Sequence, residues 1–204
     1  MVEVVTSHRG RLQPVAARRN GARYVAGVAK PLPELSLSDW AVLAVVAEGE
    51  THGWPVVREL RADGALGQVW KVGRAVVYRS LSTLVELGLL EERGEVPGAR
   101  GPQRTIVRAT RSGHAGLRRW LATPVEHVRE VRTEFLLKLA VLDRAGRSPQ
   151  ELIERQVEQL APLLQAVTRR PSGDGFDLVL ARWRREQALA VERFFRSLAG
   201  ARSG

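Results

Sequence analysis

Apolar residues fall into helical register from Ser36 onward. Trp40, Leu43, Ala44 and Ala47 share one face, behind a capping-box-like start at Ser36-x-x-Asp39 and ahead of a stop at Gly49. A second helix is expected to start between Thr51 and Pro55, to carry Val56, Val57 and Leu60 inward and to end at Gly64. The third lies within AVVYRSLSTLVELGLL, residues 75–90, where Val77, Leu81 and Leu84 mark a buried face and Gly88 a C-terminal stop. Two strand-like runs follow, Leu89 to Val96 and Gln103 to Ala109, separated by the turn residues Pro97-Gly98-Ala99-Arg100-Gly101-Pro102. Three helices and a hairpin in that order describe a winged helix-turn-helix.

Beyond the hairpin the pattern is helical. One helix begins near Thr110 or Ser112 and runs through Leu117, Trp120 and Leu121 to Pro124; Val125 to Ala145 reads as another. Ser148-Pro149-Gln150-Glu151 starts the next, with serine as cap, proline at the first helical position and glutamate closing the box, and Pro162 is expected to kink it. Arg169 to Gly175 reads as a loop and Asp177 to Leu198 as the last helix, with Leu180, Trp183, Ala190 and Phe194 turned inward. The fold class is therefore mainly α with a small β-hairpin. Residues 34–123 are expected to form the winged helix-turn-helix and 124–204 an α-helical C-terminal domain. Residues 1–33 lack apolar periodicity and read as a basic mobile arm or an idle leader.

The third helix is asymmetric in a way that packing alone does not require. Opposite its buried face stand Arg79, Ser82 and Thr83, with Tyr78 at the edge and Arg74 near the helix start. The major groove admits one helix, and such a face suits it. Arginine bridges guanine O6 and N7 or holds a phosphate, and hydroxyls reach phosphates or base edges. Arg100 and Arg104 flank the wing turn, where they would meet phosphate or the minor groove. Their structural alternative is an ordinary solvated charge, the reading favoured for Arg118 and Arg119.

Charge supports a polyanionic partner. The net charge is +10, and apart from Lys30, Lys71 and Lys138 every basic residue other than histidine is arginine. Codon bias explains that skew but not the placement. Val96 to Val125 holds six arginines and no acid, and residues 1–30 carry six cations against Glu3. Such clusters suit double-stranded DNA. The chain has no cysteine, no run long enough to span a bilayer and no signal-peptide pattern, so a soluble, cytoplasmic setting is expected.

The run FLLKLAVL, Phe135 to Leu142, is apolar nearly all round, which implies burial on more than one side. Phe135, Leu136, Leu139 and Leu142 are accordingly candidates for a homodimer interface. Trp183 and Phe194 join that interface, line an effector pocket, or simply pack the core. Catalytic chemistry finds no site: His8, His52, His114 and His127 are widely separated, and there is no phosphate-binding loop, nucleophile elbow, metal motif or cofactor motif. His52 reads as a hydrogen-bonded structural histidine.

Taken together, LSLSDWAVLAVV, THGW, VVYRSLSTLVELGLL, GPQRTIVRATRSG and WRREQALAVERFF resemble the PadR family of bacterial transcriptional regulators from about Leu35 to Leu198. The resemblance is to the longer subfamily, whose helical C-terminal domain dimerises. Ile106-Val107-Arg108-Ala109-Thr110 lacks the aromatic that often precedes Thr-x-x-Gly there, so no aromatic wing contact is carried over. The resemblance implies a repressor that binds a pseudo-palindromic operator as a homodimer and responds to an unidentified small molecule. The alternative is a protein-interaction module with the winged helix as its docking surface.

Overall fold

Ser36 sets the start of the ordered fold. Its hydroxyl accepts from the Asp39 N–H at 3.2 Å while its own N–H donates to the Asp39 carboxylate at 2.9 Å, the reciprocal capping box the sequence predicts. The helix it opens, α1 (Leu37–Val46), is buried on every side from Trp40 to Val46 and forms the centre of the winged helix. The computed structural model describes residues 34–98, 101–167 and 174–200. The basic segment 1–33, most of the loop expected over Arg169–Gly175 and Arg100 lie outside them.

Helix α2 (Gly53–Glu59) ends sooner than expected, because the chain turns at Leu60 and packs Leu66 and Val72 under it before α3 (Arg74–Glu86) begins. Gly88, at φ +67°, ends α3 as predicted. The Leu89 N–H reaches back to Leu84 O and the Gly88 N–H to Val85 O, both at 2.9 Å, which satisfies carbonyls the helix leaves open. The strands β1 (Leu90–Gly98) and β2 (Gly101–Ala109) pair antiparallel, with Leu90 opposite Ala109 and Glu92 opposite Val107. Thr51 adds a short third edge through two backbone bonds to Val107, so the wing base is tied to the chain entering α2. The Thr110 hydroxyl caps the next helix, α4 (Arg111–Ala122), by accepting from the Gly113 N–H.

The expected single helix from Val125 to Ala145 is broken. The buried amide of Gln156 holds both the N–H and C=O of Val125, and the Glu130 carboxylate takes the His127 N–H. Those backbone groups are therefore satisfied outside a helix. A 3-10 turn (Val128–Glu130) and a π turn (Val131–Phe135) follow, and only then α5 (Leu136–Arg144). Helix α6 (Gln150–Val167) starts as expected under Ser148, but Glu151 pairs with Arg155 instead of closing the box. Pro162 lies inside this helix, and α7 (Gly175–Gly200) packs against it.

Two polar anchors join α5 to the winged helix. Arg144 at its end holds Glu48 through two nitrogens at 2.7 Å and Glu59 at 3.1 Å. Lys138 is only 1 % exposed, although its run reads as apolar. Its ammonium meets Glu134 and the Thr123 carbonyl, each at 2.7 Å, and lies 5.0 Å from the Trp120 ring centroid. The Trp120 indole N–H also donates to Glu134, and Trp120 stacks on Trp40 of α1 at 5.3 Å. Burial pushes the Lys138 pKa below the ordinary lysine value, against the opposing pull of Glu134 and Glu130.

Candidate nucleic-acid interface

Helix α3 divides its residues as the sequence predicts. Val77, Leu81 and Leu84 are buried, and Ser80 joins them at 1 % exposure. Arg74, Arg79 and Ser82 are exposed, Tyr78 is 42 % exposed and Thr83 half-buried. The Ser82 hydroxyl donates back to Tyr78 O at 3.3 Å, so its remaining use toward a ligand is as an acceptor. The Arg74 guanidinium sits 5.7 Å from the Tyr78 ring centroid, one helical turn away.

The wing stands beside this face, and between them lies a cleft of about 570 Å³. Arg74, Tyr78 and Ser82 line it from α3, and Gln103, Arg104 and Thr105 from β2. Thus four of the predicted DNA-binding residues (Arg74, Tyr78, Ser82 and Arg104) share one cavity. Arg79 and Thr83 lie on α3 outside its lining, and Arg100 is outside the described residues.

Sequence reasoning did not select the N-terminal end of α2, yet His52, Gly53 and Trp54 complete the cleft. His52 is hydrogen-bonded, as expected, but to a candidate ligand-binding group: its Nε2 lies 3.4 Å from Arg104 Nη1. A Cβ added to Gly53 would stand 2.5 Å from Tyr78 Cε1, so the tyrosine ring rests on a backbone that has no side chain in the way. The signal in the sequence is THGW itself, a glycine beside a tryptophan at a helix start.

The ion pairs sort the arginines. Arg93 and Arg108 both pair with Glu91 and Glu50, so Arg108, one of the six arginines of 96–125, is compensated by acids outside that stretch. Among the described residues no carboxylate pairs with Arg74, Arg79 or Arg104. Glu92 is the lone acid among the described residues lining the cleft. An exposed helical face with such guanidinium groups beside a wing is chemically suited to phosphate and base edges.

Residues 42–119, from the middle of α1 to most of α4, match the family model described as the transcriptional regulator PadR-like family. This segment is a PadR-like domain. Among solved structures, Bacillus subtilis PadR in complex with operator DNA is 18 % identical over 83 % of this chain and 99 % of that one, with a TM-score of 0.43. The protein smu.1604c of Streptococcus mutans UA159 is 17 % identical over 79 % of this chain and 98 % of that one, with a TM-score of 0.39. Bacillus subtilis PadR in complex with p-coumaric acid is 19 % identical over 79 % and 93 %, with a TM-score of 0.37. No curated protein matches the chain.

The PadR-like domain leads into the residues expected to dimerise. Phe135 and Leu142 are buried within the chain, whereas Leu136 and Leu139 are partly exposed. Trp183 is 61 % exposed and Ala190 exposed, so neither is turned inward in the single chain; Ala188 and Phe195 fill the core positions of α7 instead. Phe194 is half-buried. Trp183, Phe194, Val191, Leu136 and Arg132 border a hollow of about 670 Å³ between α7 and the π turn. No described helix is long and apolar enough to cross a membrane.

Proposed function

We propose that this protein is a DNA-binding transcriptional repressor without catalytic activity. It acts in the cytoplasm as a homodimer on a pseudo-palindromic operator. The observation that carries the proposal is the set of carboxylate-free arginines, Arg74, Arg79 and Arg104, presented with Tyr78 by α3 and the wing of a PadR-like domain. Arg79 reads base edges, and Arg74, Tyr78 and Arg104 hold the sugar-phosphate backbone and fix register. Ser82 accepts and Thr83 accepts or donates at the groove edge, and Arg100 extends the wing contact.

Residues 34–123 serve as the DNA-binding unit and 124–204 as the dimerising unit. A second copy covers the apolar stripe of Phe176, Val179 and Trp183, which are 74 %, 59 % and 61 % exposed, together with Leu136 and Leu139. Two-fold symmetry then presents two recognition helices about one helical turn of DNA apart.

The hollow bordered by Trp183 and Phe194 is the proposed site of a small-molecule effector. Its wall supports a route to the DNA face. Val131, Arg132 and Thr133 of the π turn line it, while the adjacent Glu134 grips Trp120 and Lys138 beneath α1. An effector that prefers one placement of this turn biases α4 and thereby the spacing of the two recognition helices. Selection of duplexes from a random-sequence pool by the full-length protein, followed by gel shift, tests the proposal. Enrichment of an inverted repeat is the expected result. A protein that enriches no duplex and shifts none at low salt is not a DNA-binding regulator.

A further inference from the structure

The segment His52-Gly53-Trp54 is not explained by the recognition helix or the wing. A single exposed apolar residue is ordinary on any surface. Trp54 differs in its surroundings: it is 50 % exposed and lines the same cleft as Tyr78, Arg74 and Arg104. Three sets of contacts hold it there. Thr51 is bonded twice to Val107 of the wing, His52 meets Arg104, and the Tyr78 ring lies against Gly53. The start of α2, the outer face of α3 and the base of the wing therefore form one preorganised surface rather than three separately placed groups.

The chemistry of that surface is an indole next to a phenol and two guanidinium groups. The sugar-phosphate backbone of DNA offers the matching pair: a flat apolar deoxyribose edge for the indole, and an anionic phosphate for Arg74, Arg104 and the tyrosine hydroxyl. Glu92 at the cleft disfavours a phosphate in its immediate neighbourhood. We propose that Trp54 is a DNA-contacting residue that packs on the deoxyribose of a backbone segment seated in this cleft. The proposal rests on the DNA-binding reading and adds α2 to the interface. A sugar contact carries no sequence information, so Trp54 contributes affinity and register but not base preference.

The test uses the full-length protein and fluorescence anisotropy with two labelled duplexes, one selected by the wild type from a random pool and one a scramble of it. Trp54 is 50 % exposed, so Trp54→Ala removes some buried area and is expected to lower the thermal midpoint while leaving the protein folded at the assay temperature. It should weaken binding to both duplexes alike, by roughly five- to tenfold, the size of an aromatic truncation at an interface. The salt slope should not move, because no charge is lost. Trp54→Phe should recover most of the affinity. Unchanged affinity for Trp54→Ala places the indole off the DNA. A loss confined to the selected duplex makes it a base contact and overturns the backbone assignment. Loss of the dimer in light scattering assigns Trp54 to protein association instead. Failure of the wild type to bind either duplex refutes the DNA-binding reading itself, a result distinct from all of these.

Discussion

Lys138→Met isolates the polar joint between the winged helix and the C-terminal helices. Methionine keeps the aliphatic volume but removes the ammonium from a site that is 1 % exposed. Three interactions go with it: the bond to the Thr123 carbonyl, the pair with Glu134, and the approach to the Trp120 face. Breaking a fully buried pair costs about 3–5 kcal/mol. Here Glu134 is 30 % exposed and keeps the Trp120 N–H as donor, which lowers the figure. The Thr123 carbonyl, left without that donor, still costs about 1–3 kcal/mol. Recovery of the lysine's desolvation offsets part of the sum, so the expected loss is about 2–3 kcal/mol. Equilibrium urea unfolding at neutral pH measures it. A loss below about 1 kcal/mol would mean that Lys138 contributes no more than an exposed ion pair. The pH dependence has a definite sign. Burial lowers the folded-state pKa below the unfolded value of 10.5, so between the two the unfolded chain binds the extra proton and wild-type stability rises with pH. The gap between wild type and Lys138→Met should therefore widen toward pH 10.5. A gap that narrows there would show that Glu134 outweighs burial.

Two further substitutions probe other parts of the account. A Cβ at Gly113 would stand 2.2 Å from the backbone oxygen of Leu89, which cannot yield as a flexible side chain would, so Gly113→Ala should cost about 2 kcal/mol or more by shifting α4 off the hairpin base; an unchanged thermal midpoint would contradict this packing. Leu139 is partly exposed in the single chain, so Leu139→Glu should leave a folded protein that light scattering finds monomeric, and an intact dimer would place that side of α5 in solvent.

The winged helix was legible because its signals are local. Ser36 and Asp39 cap α1, Gly88 ends α3, Thr110 caps α4, and the apolar spacing of α3 fixes which side of it faces out. What was missed depends on partners distant in sequence. Nothing near Val125 announces that Gln156 will satisfy its peptide group and delay the helix to Leu136. Lys138 sits in an apolar run whose charge is matched from α4 and the π turn, so its burial is visible only once Trp120, Thr123 and Glu134 converge. Arg108 looked as free as Arg104 until the hairpin register put Glu91 opposite it. Trp183 keeps helical spacing with core residues, but the side it occupies is left open by the single chain.

The central claim is that α3 reads DNA sequence through Arg79 while the surrounding residues hold the backbone. Its most direct test is anisotropy of wild type and Arg79→Ala on the selected duplex and its scramble across a salt series. The account predicts that log affinity of the wild type falls linearly with log salt. Arg79→Ala should lose about 1–3 kcal/mol on the selected duplex and far less on the scramble, with relaxed preference at one position of each half-site. Equal affinities of the two proteins on both duplexes, or wild-type binding that does not weaken with salt, would contradict it.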